Sequence, residues 1–542
     1  MFDLIKTSWI PIRRRSGKKE IIRPSQIVEN IETDPVVDFD WPRVDFQIAS
    51  IELLIGLLAT AFPPATERKW RTLWRAPPTP EDLEAAFEPI RKAFDLDGPG
   101  PRFLQDFEPL SNGSEPIERL LFEAPGDQTV KKNMDLLNHR NRVQRMGRPA
   151  AAMALYTMQS WAPSGGKGNR TGLRGGGPLI TFVTPADRDT LWHRCWANVP
   201  LGTPPSEADL PKVFPWLAPT LTSEKNLEIQ PELNAHPLQA WWGMPRRIRL
   251  NFEEQPDARC DITDERDDIQ ATGWCQRPYG CNYNLWAPRH PLTPTYRPGK
   301  DKELLFQHPQ PGGIRYRHWL GLVVPTDTSF EAPAIRTWRN DRQPDLDDGE
   351  TPRPMDRFFA GGADFDNMKL RSFAESHFPL PRAAMAKDQH LADDMARRLV
   401  QASTLVADAL RSTVRAALFS AGATVKLDAS LFTCLREEFW NRTEPTFFGH
   451  LTRYSQNPTT AQDQTCRDWL ADLRRVALDL FDEYAPATPD TDIQECVQIG
   501  NGRRWLLSTL YGHSKDGKQL FEFLKQPLPP KAPKKNGTNH AS

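Results

Sequence analysis

RDWLADLRRVALDLFDEY, residues 467–484, places Trp469, Leu470, Leu473, Val476, Ala477, Leu480, Phe481 and Tyr484 on one side of a helix. Arg467, Asp468, Asp472, Arg474 and Arg475 fall off that stripe, which is the spacing of a helix packed on one face. Working outward, similar segments run from about 387 to 419, from 427 to 454 and from 493 to 524, the last with breaks expected at Gly500 to Gly502 or at Gly512. Four amphipathic segments joined by short connections bury their stripes most simply as a four-helix bundle. Upstream of residue 385 the texture differs, with short apolar runs such as 179–183 and 248–252 broken by Gly and Pro clusters. The chain is therefore expected to be α+β. A mixed, loop-rich domain spans 1–384, a helical bundle 385–526, and a disordered tail 527–542. Residues 4–28 read as a hairpin turning at Ser16-Gly17, and no internal repeat is visible.

The 542 residues carry 69 Lys and Arg against 70 Asp and Glu, so attraction to nucleic acid must come from local patches rather than bulk charge. Seventeen Trp and 27 Phe supply core material and exclude a disordered chain. The most apolar run, Phe46 to Phe62, contains Gln47, Glu52 and Gly56, which suits a buried helix better than a membrane span. Seven scattered Cys suit reduced thiols, and with no secretory signal pattern a cytoplasmic protein is expected.

The densest charge lies between Lys131 and Arg174, where nine cations face only Asp135. Within it, residues 162–178 hold seven glycines, with Lys167, Arg170 and Arg174 interleaved. Backbone without Cβ can approach a ligand closely, so such a loop suits a phosphate or a DNA groove. Lys167 is followed by Gly168 rather than Ser or Thr, so it is no P-loop. Gly361-Gly362 followed by Asp364 and Asp366 reads as a tight turn. The alternative is a metal-dependent nucleotidyltransferase or nuclease using that D-x-D pair. Cys260, Cys275 and Cys281 lack the C-x-x-C spacing of a structural zinc site, and no nucleophile or general base stands out.

Several segments together resemble the large subunit of the type I-E CRISPR Cascade complex, CasA or Cas8e. They are Phe2-Asp3-Leu4 to Trp9-Ile10-Pro11, Phe103-Leu104-Gln105, Thr171-Gly172-Leu173-Arg174-Gly175-Gly176, Arg277-Pro278-Tyr279-Gly280, His290-Pro291-Leu292-Thr293-Pro294 and Gly361-Gly362. Their order matches the family, and a helical bundle follows. The resemblance implies a recognition subunit without its own chemistry, cofactor or metal, which reads the PAM from the minor groove and helps start unwinding. Its implied partners are the other Cascade subunits, the guide RNA, PAM-containing duplex DNA and a helicase–nuclease, with no membrane.

By matched position the resemblance places the PAM-reading glycine loop on Ser164, Gly165, Gly166, Lys167 and Gly168, and a basic finger at Arg277. A strand-separating wedge falls on Asp366, Asn367 and Met368. A loop meeting the guide RNA and a neighbouring subunit falls on Leu136, Leu137, Asn138, His139 and Arg140. On the bundle, Arg397, Arg398, Arg411, Arg415, Arg474 and Arg475 are candidates for a DNA-backbone track, against the plainer reading of a solvated helix face. A scaffold binding protein subunits only is the third possibility.

Overall fold

The computed structural model describes residues 1–110, 113–166, 168–346, 354–419, 430–458, 461–488 and 491–530. The chain divides into two compact units. The first comprises Met1–Ile314 with Gly321–Leu380, and the second comprises Arg315–Leu320 with the chain from Pro381 onward.

In the first unit, β1 (Ile10–Arg14) pairs antiparallel with β2 (Lys19–Ile22) around Gly17, whose φ is +88°. β3 (Val36–Phe39) adds to the other side of β1. The expected hairpin is thus present but starts at Ile10 rather than residue 4. α1 (Val44–Ala61) is the one helix among the described residues long and apolar enough to cross a membrane; 89% of it is buried, as in a core helix. Against it packs α2 (Arg148–Trp161), an alanine-rich helix whose small side chains permit close approach. The glycine-rich segment leads from α2 into β4 (Ile180–Thr184). β5 (Arg247–Glu254) and β6 (Ile269–Arg277) form an antiparallel pair with a bulge between Asn251 and Phe252.

A long hairpin, β7 (Arg357–Asp366) and β8 (Lys369–Pro379), joins β4 to make the sheet order β8-β7-β4. β4 pairs only with Arg357 to Gly361, so the distal half of the hairpin extends past its sheet. Here the structure corrects the expected turn at Gly361-Gly362, because both lie inside β7. They are glycine because of crowding: a Cβ would stand 2.6 Å from Phe359 Cζ at Gly361 and 2.5 Å from the Pro178 carbonyl oxygen at Gly362. The chain reverses at Asp366 to Lys369, where Asn367 takes φ +55°, a conformation Asn tolerates better than most residues.

In the second unit, α3 (Gln389–Leu418), α4 (Ser430–Gln456) and α5 (Gln462–Tyr484) bury the stripes read from sequence, with Trp469 of α5 fully enclosed and donating to the Leu399 carbonyl at 3.2 Å. α6 (Ile493–Leu510) continues through Gly500 and Gly502, and Gly502 lets it approach the Thr413 carbonyl of α3 closely. The break falls at Gly512, φ +79°, after which α7 (Lys515–Phe523) starts on a Ser514 cap. The fourth expected segment is therefore two helices. The bundle also contains Arg315–Leu320: Tyr316 stacks on Phe447 at 4.3 Å between ring centroids, meets Trp440 edge-on at 4.9 Å, and its hydroxyl lies 2.8 Å from Thr443 Oγ1. Of the tail, residues 531–542 lie outside the described residues.

Candidate nucleic-acid interface

The glycine segment is fixed at its base and open at its apex. Gly172 N donates to the Ala162 carbonyl at 2.9 Å and Gly177 N to the Trp161 carbonyl at 3.1 Å, closing the loop against the end of α2. A Cβ at Gly172 would lie 2.8 Å from the Ser160 carbonyl oxygen, so no larger residue fits there. Arg174 enters the core, ion-pairing with Glu52 of α1 and donating to Thr293 Oγ1 at 3.1 Å. Trp161 Nε1 donates to the same Glu52 carboxylate at 3.1 Å. Burial alone would raise the Glu52 pKa, but the Arg174 guanidinium and His290 reverse the effect and hold it at about 2. Burial, reinforced by the Arg174 charge, pushes His290 down to about 4.

At the apex, the Asn169 side chain donates to the Gly165 carbonyl at 2.8 Å and Asn169 N to the Gly166 carbonyl at 3.1 Å, forming a tight turn. Gly166 has φ +83° and nothing within 4 Å of where its Cβ would stand. Ser164 is exposed; Lys167 lies outside the described residues.

The turn after β6 docks directly on this loop. Tyr279 N donates to the Gly168 carbonyl at 2.6 Å, and Gly168, φ +80°, would place a Cβ 2.6 Å from Pro278 Cβ. Arg277 is half-exposed and reaches Glu108 Oε2 at 3.2 Å, so part of its charge is already engaged. The hairpin tip completes the group. Ser164, Gly165, Asn169, Arg246, Gln276 and Met368 line one cleft of about 280 Å³. Glycine loop, β6 end and hairpin tip, far apart in sequence, therefore border one space. Met368 is 57% exposed, with Asp366 and Asn367 exposed beside it.

Asp364 is different. It is buried and pairs with Arg371 Nη2 at 2.7 Å, while Asp366 is exposed on the far side of the bulge between Asp364 and Phe365. An arginine already paired with the first carboxylate disfavours a D-x-D metal site. Among the described residues no three His, Cys, Asp or Glu gather as metal ligands, and Cys260, Cys275 and Cys281 are buried free thiols.

The nine-cation stretch is partly spent on structure. Arg148 holds Asp267 at 2.7 Å, Arg145 reaches Asp261 at 3.8 Å, and Arg174 holds Glu52. Arg140 clamps Asp135 at 2.6 Å, holding that carboxyl well below its usual range. This clamp closes a small loop and pushes Leu136 and Leu137 outward, 76% and 92% exposed, with Asn138 and His139 following at the rim of a second cavity. Part of the Arg140 charge is thus engaged within the loop itself.

The bundle arginines are engaged too. Arg397 and Arg398 reach Asp394, Arg411 reaches Asp408, and Arg475 reaches Asp472, all at helical spacing. Arg415 stands in the last turn of α3. Arg474 lies 4.3 Å above the Tyr511 ring and donates to the Leu510 carbonyl at 3.0 Å, bracing α5 against α6.

The profile of the CRISPR-associated protein Cse1 family matches residues 3–480. Among solved structures, Thermus thermophilus CasA (Cse1) is 18% identical with TM-score 0.71, covering 95% of this chain and 99% of the other. Thermobifida fusca Cse1 is 17% identical with TM-score 0.68, covering 97% and 98%. A chain of a CRISPR RNA-guided surveillance complex is 16% identical with TM-score 0.69, covering 94% and 99%. The profile match over most of the chain, together with a fold shared end to end, shows that this chain belongs to the CRISPR-associated protein Cse1 family, that of the type I-E Cascade large subunit.

Proposed function

We propose that this Cascade subunit recognises target DNA: it reads the PAM from the minor groove, helps separate the first base pairs, and leaves the remaining sequence to the guide RNA. The observation that carries the reading is the convergence of the glycine loop, the end of β6 and the hairpin tip on one cleft. Open backbone at Gly166 suits a narrow groove, whose degenerate pattern of acceptors gives permissive reading. Met368, at the end of a hairpin that outruns its sheet, suits an apolar wedge between base steps, at a cost of a few kcal/mol per unstacked step. Unwinding then proceeds as a near-balanced exchange of one duplex for another, so a local trigger is enough and no catalytic group is required.

The exposed Leu136-Leu137 tip suits a protein or guide-RNA neighbour in the assembled complex, where its apolar surface would be covered. Recruitment of a helicase–nuclease, a bundle contact to the displaced strand and a cytoplasmic location complete the proposal. The test uses the assembled complex and duplexes with permuted PAM positions. Gly166→Asn tolerates the left-handed backbone but adds bulk at the open apex, so PAM-dependent affinity should fall at least tenfold while the fold is retained. Equal affinity of the unaltered complex for every permutation would refute the reading and favour a scaffold that binds protein subunits only.

A further inference from the structure

In the sequence Arg246 is simply the first of two arginines entering a strand. In the structure it lines the same cleft, only 8% exposed, with its guanidinium lying against Gly165. A Cβ on Gly165 would come within 2.2 Å of Nη1 and 2.6 Å of Nη2. Nη2 donates to the Pro163 carbonyl, while Nε is buried with no acceptor among the described residues.

Among the described residues its surroundings lack a counter-charge. The cleft's own carboxylates, Glu115 and Asp127, are both held by Arg119. Other buried arginines of this unit each have an acid: Arg14 has Glu20 and Glu29, Arg174 has Glu52, Arg247 has Asp106, and Arg342 has Glu67. No carboxylate among the described residues does this for Arg246, and its burial lowers its pKa to about 10, still cationic at neutral pH. A charge taken from water without a partner is costly, so such a group is expected to be compensated in the working state by an anion.

We propose that Arg246 is a phosphate-binding residue that grips one backbone phosphate of duplex DNA entering the cleft beneath Gly165. This rests on the DNA-recognition reading above. The cleft is shared with the glycine loop and Met368, not with the Leu136-Leu137 loop, which favours target DNA over guide RNA. Gly165 then has a second role, since any side chain there would displace the guanidinium.

The test measures affinity of the assembled complex for duplexes carrying preferred and permuted PAM positions across a salt series. For Arg246→Gln the slope of log affinity against log salt should become shallower by about 0.9, the value for one phosphate contact. Affinity should fall by a similar factor for every PAM, with their rank order kept, and Arg246→Lys should restore most of the slope. An unchanged slope, with or without scrambled PAM order, overturns the proposal and leaves Arg246 a loop support. Loss of guide-RNA retention with target binding intact overturns it in favour of the RNA. If the Gln variant does not assemble, Gly165→Ala keeps the charge but displaces it, and the same change of slope decides. Absence of PAM dependence in the unaltered complex would instead refute the wider reading.

Discussion

Arg174, within the glycine segment, and Arg246, against its Gly165, are both buried, yet their charges are met in opposite ways. Arg174 meets Glu52 in the core and ties the base of the loop to α1. Arg246 lies against Gly165 with, among the described residues, one carbonyl acceptor and no acid. A buried arginine with a carboxylate is fully occupied by the fold. One without a carboxylate still has binding capacity to offer, and that distinction separates the structural half of the loop from the half proposed to meet DNA.

The largest expected effect comes from breaking the satisfied side. Glu52→Gln leaves the Arg174 charge uncompensated in the core and should destabilise the first unit by about 3–5 kcal/mol, read by denaturant unfolding. Replacing both, Glu52→Leu with Arg174→Met, should recover most of that loss, since an apolar pair of similar volume can stand in for a buried ion pair.

Acid should act on the same side. His290 is held at about 4 when folded, below an unfolded value of about 6.5, so the unfolded chain binds the extra proton first. Its contribution is complete above pH 6.5 and lost as pH falls towards 4, on the order of 3 kcal/mol in total. Glu52, depressed to about 2, adds a further loss below about pH 4.5. Thermal melts between pH 7 and 4 should show this slope, and His290→Gln should flatten its upper part.

The unsatisfied side should barely respond in stability. Arg246→Met loses one hydrogen bond but removes an unpaired buried charge, so unfolding should shift by less than about 1 kcal/mol. A loss as large as that of Glu52→Gln would erase the contrast. Smallest of all, Met368→Ala should leave stability within about 0.5 kcal/mol, because the side chain is exposed, while slowing the start of strand separation in a stopped-flow assay.

Much of this was legible in the sequence. Helical periodicity gave α3 to α6, because a stripe at 3.6-residue spacing has few other uses, and the apolar run of α1 marked a core helix. The glycine density marked the loop correctly, but not which glycines face outward: Gly166 is open whereas Gly172 is jammed against the Ser160 carbonyl. Gly361-Gly362 looked like a turn and proved to be a crowded strand, since glycine serves close packing as well as reversal. The reversal two positions after Asp364–Phe365 depended on a bulge and on Asn367, neither of which has a strong local signature. Arg246 could not be found from sequence at all, because what distinguishes it from Arg247 beside it is that no acid among the described residues meets it in three dimensions.

Tyr316 carries a last consequence. Because Arg315–Leu320 belongs with the helices while the chain on either side of it belongs to the first unit, the polypeptide passes between the units three times. A fragment beginning near residue 385 would leave a hole among Phe447, Trp440 and Thr443 where that ring now sits. Dissecting this protein by a single cut thus yields a helical piece missing its keystone, and a six-residue peptide spanning 315–320, supplied in trans or fused back, is what such a piece would need.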